Sequence, residues 1–314
     1  MTIQFMEPLS RAWRRMKIAL FKPFDLHKWF VIGFNAFLAG LLSVTNGSSG
    51  SRSGNHGDFG EFIHFPRTAW EWLMNHPGWA VAILFGVLVV IVVLVVLTWV
   101  GSRGVFMFLE SVVHDRVEIA RPWREYQKEG NSLFVWRLVF GLIVLAVFAG
   151  LGVWFFAQGA VIYDQGLGRV IPIGLILGLG LLTLAAILII GYITLFLQDF
   201  VAALMFKHRI SAVAAWRMFL AIFRQHAFYF LAYGIIIFFL TLAFVAAVIV
   251  AGLITCCVGW LLLIIPYIGT VVTLPFWYLL RSFSLEFLAQ FGPDYEVFPK
   301  PAAPAAPAPA APAV

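Results

Sequence analysis

Charged side chains are too few in this sequence to coat a soluble domain of its length. Asp, Glu, Lys and Arg make up 11% of the 314 residues while apolar types make up 62%, a balance that excludes an ordinary water-soluble globule and places the chain in a bilayer. Cysteine is nearly absent. The two present, Cys256 and Cys257, are adjacent, a spacing that rarely permits an unstrained disulfide and excludes a stapled extracellular scaffold. Short stretches of alternating polarity are missing as well, which excludes a transmembrane barrel. No HExxH and no paired CxxC occurs, and no serine or cysteine stands in a nucleophile arrangement with His114, His208 or His226. The apolar middles carry no carboxylate, so a proton-coupled pump is disfavoured.

What remains is long and greasy. Crossing roughly 30 Å of hydrocarbon takes about 20 apolar residues as a helix. Six runs qualify: Trp29 to Thr45, Gly78 to Val100, Leu133 to Phe155, Ile171 to Leu195, Phe228 to Ala251 and Val258 to Leu280. Backbone groups inside a bilayer must be satisfied within their own segment, which makes each run a helix. The predicted fold class is therefore all-α, a polytopic membrane protein of six transmembrane helices within a single domain over residues 1–298. Pro266, Gly269 and Pro275 should kink the last run. Gly174, Gly178 and Gly180 form a small-residue stripe expected to pack closely against a neighbouring helix.

Lysine and arginine set the orientation, because cytoplasmic loops retain them. All but Arg52, Arg67 and Arg169 fall on one side of this six-helix plan. Both termini are expected to be cytoplasmic. The net charge of +6 is accounted for by that asymmetry and by attraction to anionic lipid headgroups, so nucleic acid is not expected as a partner. Some 28 residues with six positive charges precede the first run, and no small-x-small site follows it; the first helix is expected to stay as an anchor.

A Trp-Arg pair recurs before successive pairs of runs: Trp13-Arg14, Trp123-Arg124 and Trp216-Arg217. Asp115-Arg116 stands seven residues before Trp123 as His208-Arg209 does before Trp216, arguing for a true internal repeat. From Pro8 to Lys22, Leu9, Ala12, Trp13, Met16 and Leu20 share one helical face, opposite Arg11, Arg15 and Lys22. Pro23 should end that helix. In the second copy Ile119, Trp123 and Tyr126 share a face. The third, Ser211 to Arg224, is more apolar and should lie deeper. Each copy reads as an interfacial helix leading into a transmembrane hairpin, with the six Trp and Arg residues as anchors at headgroup level. The plan is three parallel repeats, about 7–110, 111–206 and 207–290.

Ionisable residues near the membrane are the default candidates for function. Arg103, Glu110, Asp199, Arg281 and Glu286 cluster at the predicted cytoplasmic ends of the helices, where they can form a polar mouth or serve as ion pairs and caps. The external loop, about 46–77, holds His56, Asp58, Glu61 and His64 ahead of a predicted surface helix carrying Trp70, Glu71, Trp72 and His76. Glu61 and His64 would share a helical face and supply two metal ligands, yet the glycine-rich approach does not preorganise them. No metal or cofactor is assigned. Residues 299–314 form an Ala/Pro-rich tail expected to be extended.

The segments Leu9 to Lys17, Lys22-Pro23-Phe24, Lys28-Trp29-Phe30, Leu197 to Val201 and Ala214 to Arg217 resemble an uncharacterised family of bacterial multi-pass membrane proteins. More distantly, the module is similar to the membrane domain joined to some glycerophosphoryl diester phosphodiesterases. The resemblance implies a bacterial cytoplasmic membrane and brings no catalytic residue. The favoured expectation is a non-enzymatic membrane module organising lipid or partner proteins, including further copies of itself. A transporter or channel with a cavity between hairpins is the alternative, and an intramembrane enzyme using His64 or Glu61 stands third.

Overall fold

The computed structural model describes residues 3–45, 59–116, 118–164, 173–255, 259–260, 263 and 265–299. His56, Asp58, Cys256, Cys257, Arg52, Arg169 and the tail from residue 300 lie outside the described residues, as do the side chains of Glu61 and His64. Every regular element among the described residues is helical.

Helix α1, Met6–Phe21, buries Ala12, Met16, Ala19 and Leu20, one face at helical spacing, and leaves its arginines exposed. It stops two residues before Pro23, whose ring nitrogen has no hydrogen to continue the ladder. Then come α2, Leu26–Thr45, α3, Phe59–Asn75, and α4, Pro77–His114. Pro77 opens α4, where a missing donor costs nothing, and Asp115 closes it in the left-handed region at φ 53°. The helix thus runs 14 residues past the expected end at Val100, because Gly101 to Val113 exchanges a lipid-facing role for burial inside the protein.

The second Trp-Arg pair lies on a short helix, α5, Ala120–Glu125, followed after Tyr126 by α6, Gln127–Asp164. Helix α7, Ile173–Phe196, runs into a π turn at Leu197–Val201 and then α8, Ala202–His208, which Arg209 ends at φ 54°. Helix α9, Ala212–Ile254, starts where the Ser211 hydroxyl accepts the Ala214 N–H at 3.4 Å. It unites the third interfacial segment with the fifth apolar run in one helix bent at His226. The sixth run is divided into α10, Pro266–Val272, and α11, Leu274–Ala289, parted at Thr273. Pro275, in the first turn of α11, cannot supply the N–H that would fuse them. Gly292, at φ 132°, then turns the chain into a single 3-10 turn, Pro293–Tyr295.

Among the described residues four helices are long and apolar enough to cross a membrane: Pro77–His114, Gln127–Val161, Leu177–His208 and Ala212–Ile254. The apolar part of α2, Leu26–Leu41, is shorter. Most of the buried packing lies at one end, with further contacts such as the stacking of Phe244 on Phe276 at 3.8 Å outside it. At this closed end Phe200, Phe219, Phe230, Tyr233, Phe283 and Phe287 are wholly buried, with Phe200 and Phe219 stacked at 5.5 Å and Tyr233 against Phe287 at 4.9 Å. Rings of this size remove about 150–250 Å² each from solvent, so six of them dominate the packing. Helix α1 lies along α11, joined by stacking of Phe5 on Phe287 at 5.5 Å and a reciprocal pair of hydrogen bonds at 2.9 Å between the Gln4 backbone and the Gln290 side chain. Gly104 lets α4 touch α2: a Cβ there would stand 2.6 Å from the Leu38 backbone.

Beyond the closed end long stretches of helix stand bare. In α4 every residue from Val87 to Val95 is exposed, all the way round the helix, so no neighbour covers any side. The glycine stripe behaves unlike the sequence expectation: an added Cβ at Gly174, Gly178 or Gly180 would meet nothing within 4 Å. No described helix of this chain packs on that stripe.

Candidate functional site

The three Trp-Arg segments share a pattern of buried positions. In each, the residue before tryptophan and those three and six after it are buried: Ala12, Met16 and Ala19; Pro122, Tyr126 and Glu129; Ala215, Phe219 and Ile222. Positions at this spacing share one helical face, which docks each segment on the closed end. The arginine beside each tryptophan consequently points away. Arg14, Arg124 and Arg217 are exposed and make no ion pair or hydrogen bond with a described residue.

The tryptophans differ. Trp13 is half-exposed, with the Lys17 ammonium 5.8 Å from its ring. Trp123 meets Trp99 of α4 edge-on at 5.8 Å, and the Arg103 guanidinium lies over both rings at 4.4 and 5.1 Å. Trp216 stacks on Trp136 of α6 at 5.4 Å, its indole N–H buried without an acceptor. Two of the three thus hold interfacial segments to apolar helices, which the expectation of headgroup anchors did not include.

The five ionisable candidates divide over four places. Glu286, 5% exposed on α11, receives Arg15 at 2.6 Å from Nε, with Arg11 at 3.8 Å. These residues, Arg14, Gln290, Glu296 and Phe298 line a surface recess of about 500 Å³. Arg15 also stacks over Phe298 at 3.8 Å. Glu110, buried on α4, accepts the Tyr126 hydroxyl at 2.8 Å, with His114 Nδ1 at 3.0 Å and Arg116 at 3.6 Å. Burial, followed by the Glu110 contact, pushes the Tyr126 phenol well above its ordinary pKa. On the outer side of this group Arg209 lies over the Tyr126 ring at 3.8 Å and reaches Glu125 at 2.5 Å. Arg209 itself caps α8 in a left-handed backbone conformation, its N–H donating to the Met205 carbonyl.

Arg103 is separate again, donating to Asn131 at 3.1 Å, its Nε buried without a partner. Only Asp199 and Arg281 meet. Asp199 sits on the π turn, accepting the Tyr233 hydroxyl at 2.9 Å through Oδ2, with Arg281 3.7 Å from Oδ1. Arg281 donates to the Gln198 carbonyl at 2.5 Å. The pair borders a cavity of about 360 Å³ lined by α2, α4, α7, the π turn, α9, α10 and α11. Arg137 lies within α6 and donates to Ser102 at 3.4 Å. Tyr233 was not among the sequence candidates, and Asn35 is a polar group within an apolar run. Asn35 is buried and donates to Ser111 at 2.9 Å. Nothing about a tyrosine in an apolar run announces a carboxylate partner 34 positions away. No cluster of three metal-ligand residues occurs among the described residues.

A family model described as a family of unknown function (DUF7544) matches residues 4–290. No curated protein and no solved structure matches the chain. The family match carries no link to the glycerophosphoryl diester phosphodiesterase membrane domain.

Proposed function

The chain belongs to this family of unknown function, and from the geometry of the closed end we propose that it is a non-enzymatic membrane module that gathers anionic lipid at the cytoplasmic face of a bacterial inner membrane. The observation that carries the reading is the trio Arg14, Arg124 and Arg217, each exposed and free of protein partners while the opposite face of its segment is buried. An arginine beside a tryptophan at that depth is suited to a lipid phosphate. In this reading α2 and the broken α10–α11 pair join the four long helices as six spans, both termini are cytoplasmic, and the three segments belong to three parallel units. The shared burial positions support that repeat. Because α1 packs on α11, the first interfacial helix closes the last unit and the three units form a ring. Partner proteins, including another copy of the chain, would meet the uncovered faces of the outer helices.

The test is lipid composition around the purified protein. Reconstituted in vesicles of mixed zwitterionic and anionic phospholipid, the wild type should enrich anionic lipid in its boundary. A basic residue near an anionic surface contributes about 1 kcal/mol, so Arg14→Gln, Arg124→Gln and Arg217→Gln should each weaken enrichment about five-fold at their site. Unchanged enrichment in the triple variant would remove this reading. The runner-up, a transporter or channel, draws support from the cavity beside Asp199. A solute flux in liposomes that disappears in Asp199→Ala, with folding retained, would favour it.

A further inference from the structure

We propose that the cavity bordered by Asp199 and Arg281 binds one single-chain amphiphile with a neutral hydroxyl or ester head. The proposal is separate from the lipid-gathering reading, which concerns the outward arginines. At about 360 Å³ the cavity falls at the small end of the roughly 300–1,000 Å³ typical of small-molecule sites, room for one chain and not for a whole two-chain lipid. Most of the wall is apolar, with Ala36, Phe37 and Gly40 of α2, Phe108 of α4, Ile237 of α9 and Trp277 of α11 among the lining and Thr241 and Thr270 as polar members. Such walls take a hydrocarbon chain and give little to a polar solute.

One end is different. The π turn at Leu197–Val201 carries Gln198 and Asp199 to the cavity wall, and local π geometry of this kind recurs at functional sites. Asp199 Oδ2 is occupied by Tyr233, whereas Oδ1 accepts no hydrogen bond from a described residue and has Arg281 at 3.7 Å. The carboxylate keeps 18% of its side chain exposed, and on the same lining the Thr241 hydroxyl donates to the Ile237 carbonyl and the Trp277 indole to Thr273. Arg281 spends one donor on the Gln198 carbonyl and has others in a fork. A hydroxyl can donate to Oδ1 and accept from the guanidinium at once. A carboxylate or phosphate head would face Asp199 as a like charge, and an ammonium head would face Arg281 likewise. The next cation, Arg137, is turned to Ser102 and does not line the cavity. A head that is polar and uncharged suits a charge pair whose sum is zero.

The experiment uses the full chain in nanodiscs and three photoreactive probes of equal chain length, ended by a hydroxyl, a carboxylate or a methyl group. The hydroxyl probe should label peptides of α2, α9 and α11 saturably, with competition by an unlabelled long-chain alcohol. Asp199→Asn should weaken its binding about ten-fold, the size expected when a hydrogen bond to a charged group is replaced, and leave the methyl probe unchanged. Gly40→Phe supplies the control for folding. An added Cβ at Gly40 meets nothing within 4 Å, so the ring can enter the cavity without displacing backbone, and labelling by all probes at these peptides should vanish while the protein stays monodisperse. Equal labelling by the methyl probe would overturn the proposal, leaving a crevice for lipid tails. Preference for the carboxylate probe, or saturable labelling that survives Gly40→Phe, would overturn it too.

Discussion

Glu110 shows what a buried carboxylate needs at the closed end. It is nearly inaccessible and is met by one hydroxyl, one imidazole and one guanidinium. The Tyr126 hydroxyl is the shortest of these contacts and itself buried, so Tyr126→Phe should lower stability by about 1.5–3 kcal/mol, the range for hydrogen bonds to charged groups, readable as a fall in thermal midpoint in detergent. The sign with pH follows from the raised Tyr126 pKa. The phenol holds its proton more tightly folded than unfolded, so its contribution is complete below about pH 10 and is lost as pH rises beyond it. Tyr126→Phe should flatten the alkaline loss in the melting profile. Glu110 itself was visible in the sequence as an isolated acid beside an apolar run, and Tyr126 as part of an apolar face. Their meeting was not, because it requires α5 to fold back on α4.

Among the elements, glycines separate packed surface from bare surface. Gly104→Ala puts a methyl 2.6 Å from the backbone of Leu38, and forcing α2 from α4 should cost about 1–3 kcal/mol. Gly150→Ala meets nothing within 4 Å and should be neutral or stabilise α6 by about 0.5–1 kcal/mol through helix propensity. Thermal melts of the two variants distinguish these cases; equal destabilisation would contradict the one-ended packing. Hydropathy located the apolar helices well and their ends poorly. Residues 101 to 113 of α4 carry serines and an acid, which reads as a loop approach in a hydropathy scan, yet they are buried in the core of the protein. The π turn left no mark in the pattern, since a one-residue widening of a helix alters no periodicity over so short a span. The docking of α1 on α11 spans some 270 positions and no local spacing encodes it.

At the level of the whole molecule, the bare outer halves demand a hydrocarbon surround. Val90 lies mid-way along α4, exposed on a helix without neighbours. Val90→Arg should cost roughly 2.5–3.5 kcal/mol of insertion free energy, seen as a sharp loss of protein in the membrane fraction, whereas Arg at the exposed, polar-side position Arg124 is already tolerated. Normal accumulation of Val90→Arg would mean that α4 is covered by a partner or does not cross the bilayer.

The one-ended packing also divides the two leaflets unequally. A surrounding bilayer would meet a compact perimeter at the closed end and, along the bare stretches of α4, α6 and α7, rows of exposed apolar side chains. A shape that is compact at one end and open at the other should sort between flat and curved membrane, and partition of the reconstituted protein between large and small vesicles measures that preference.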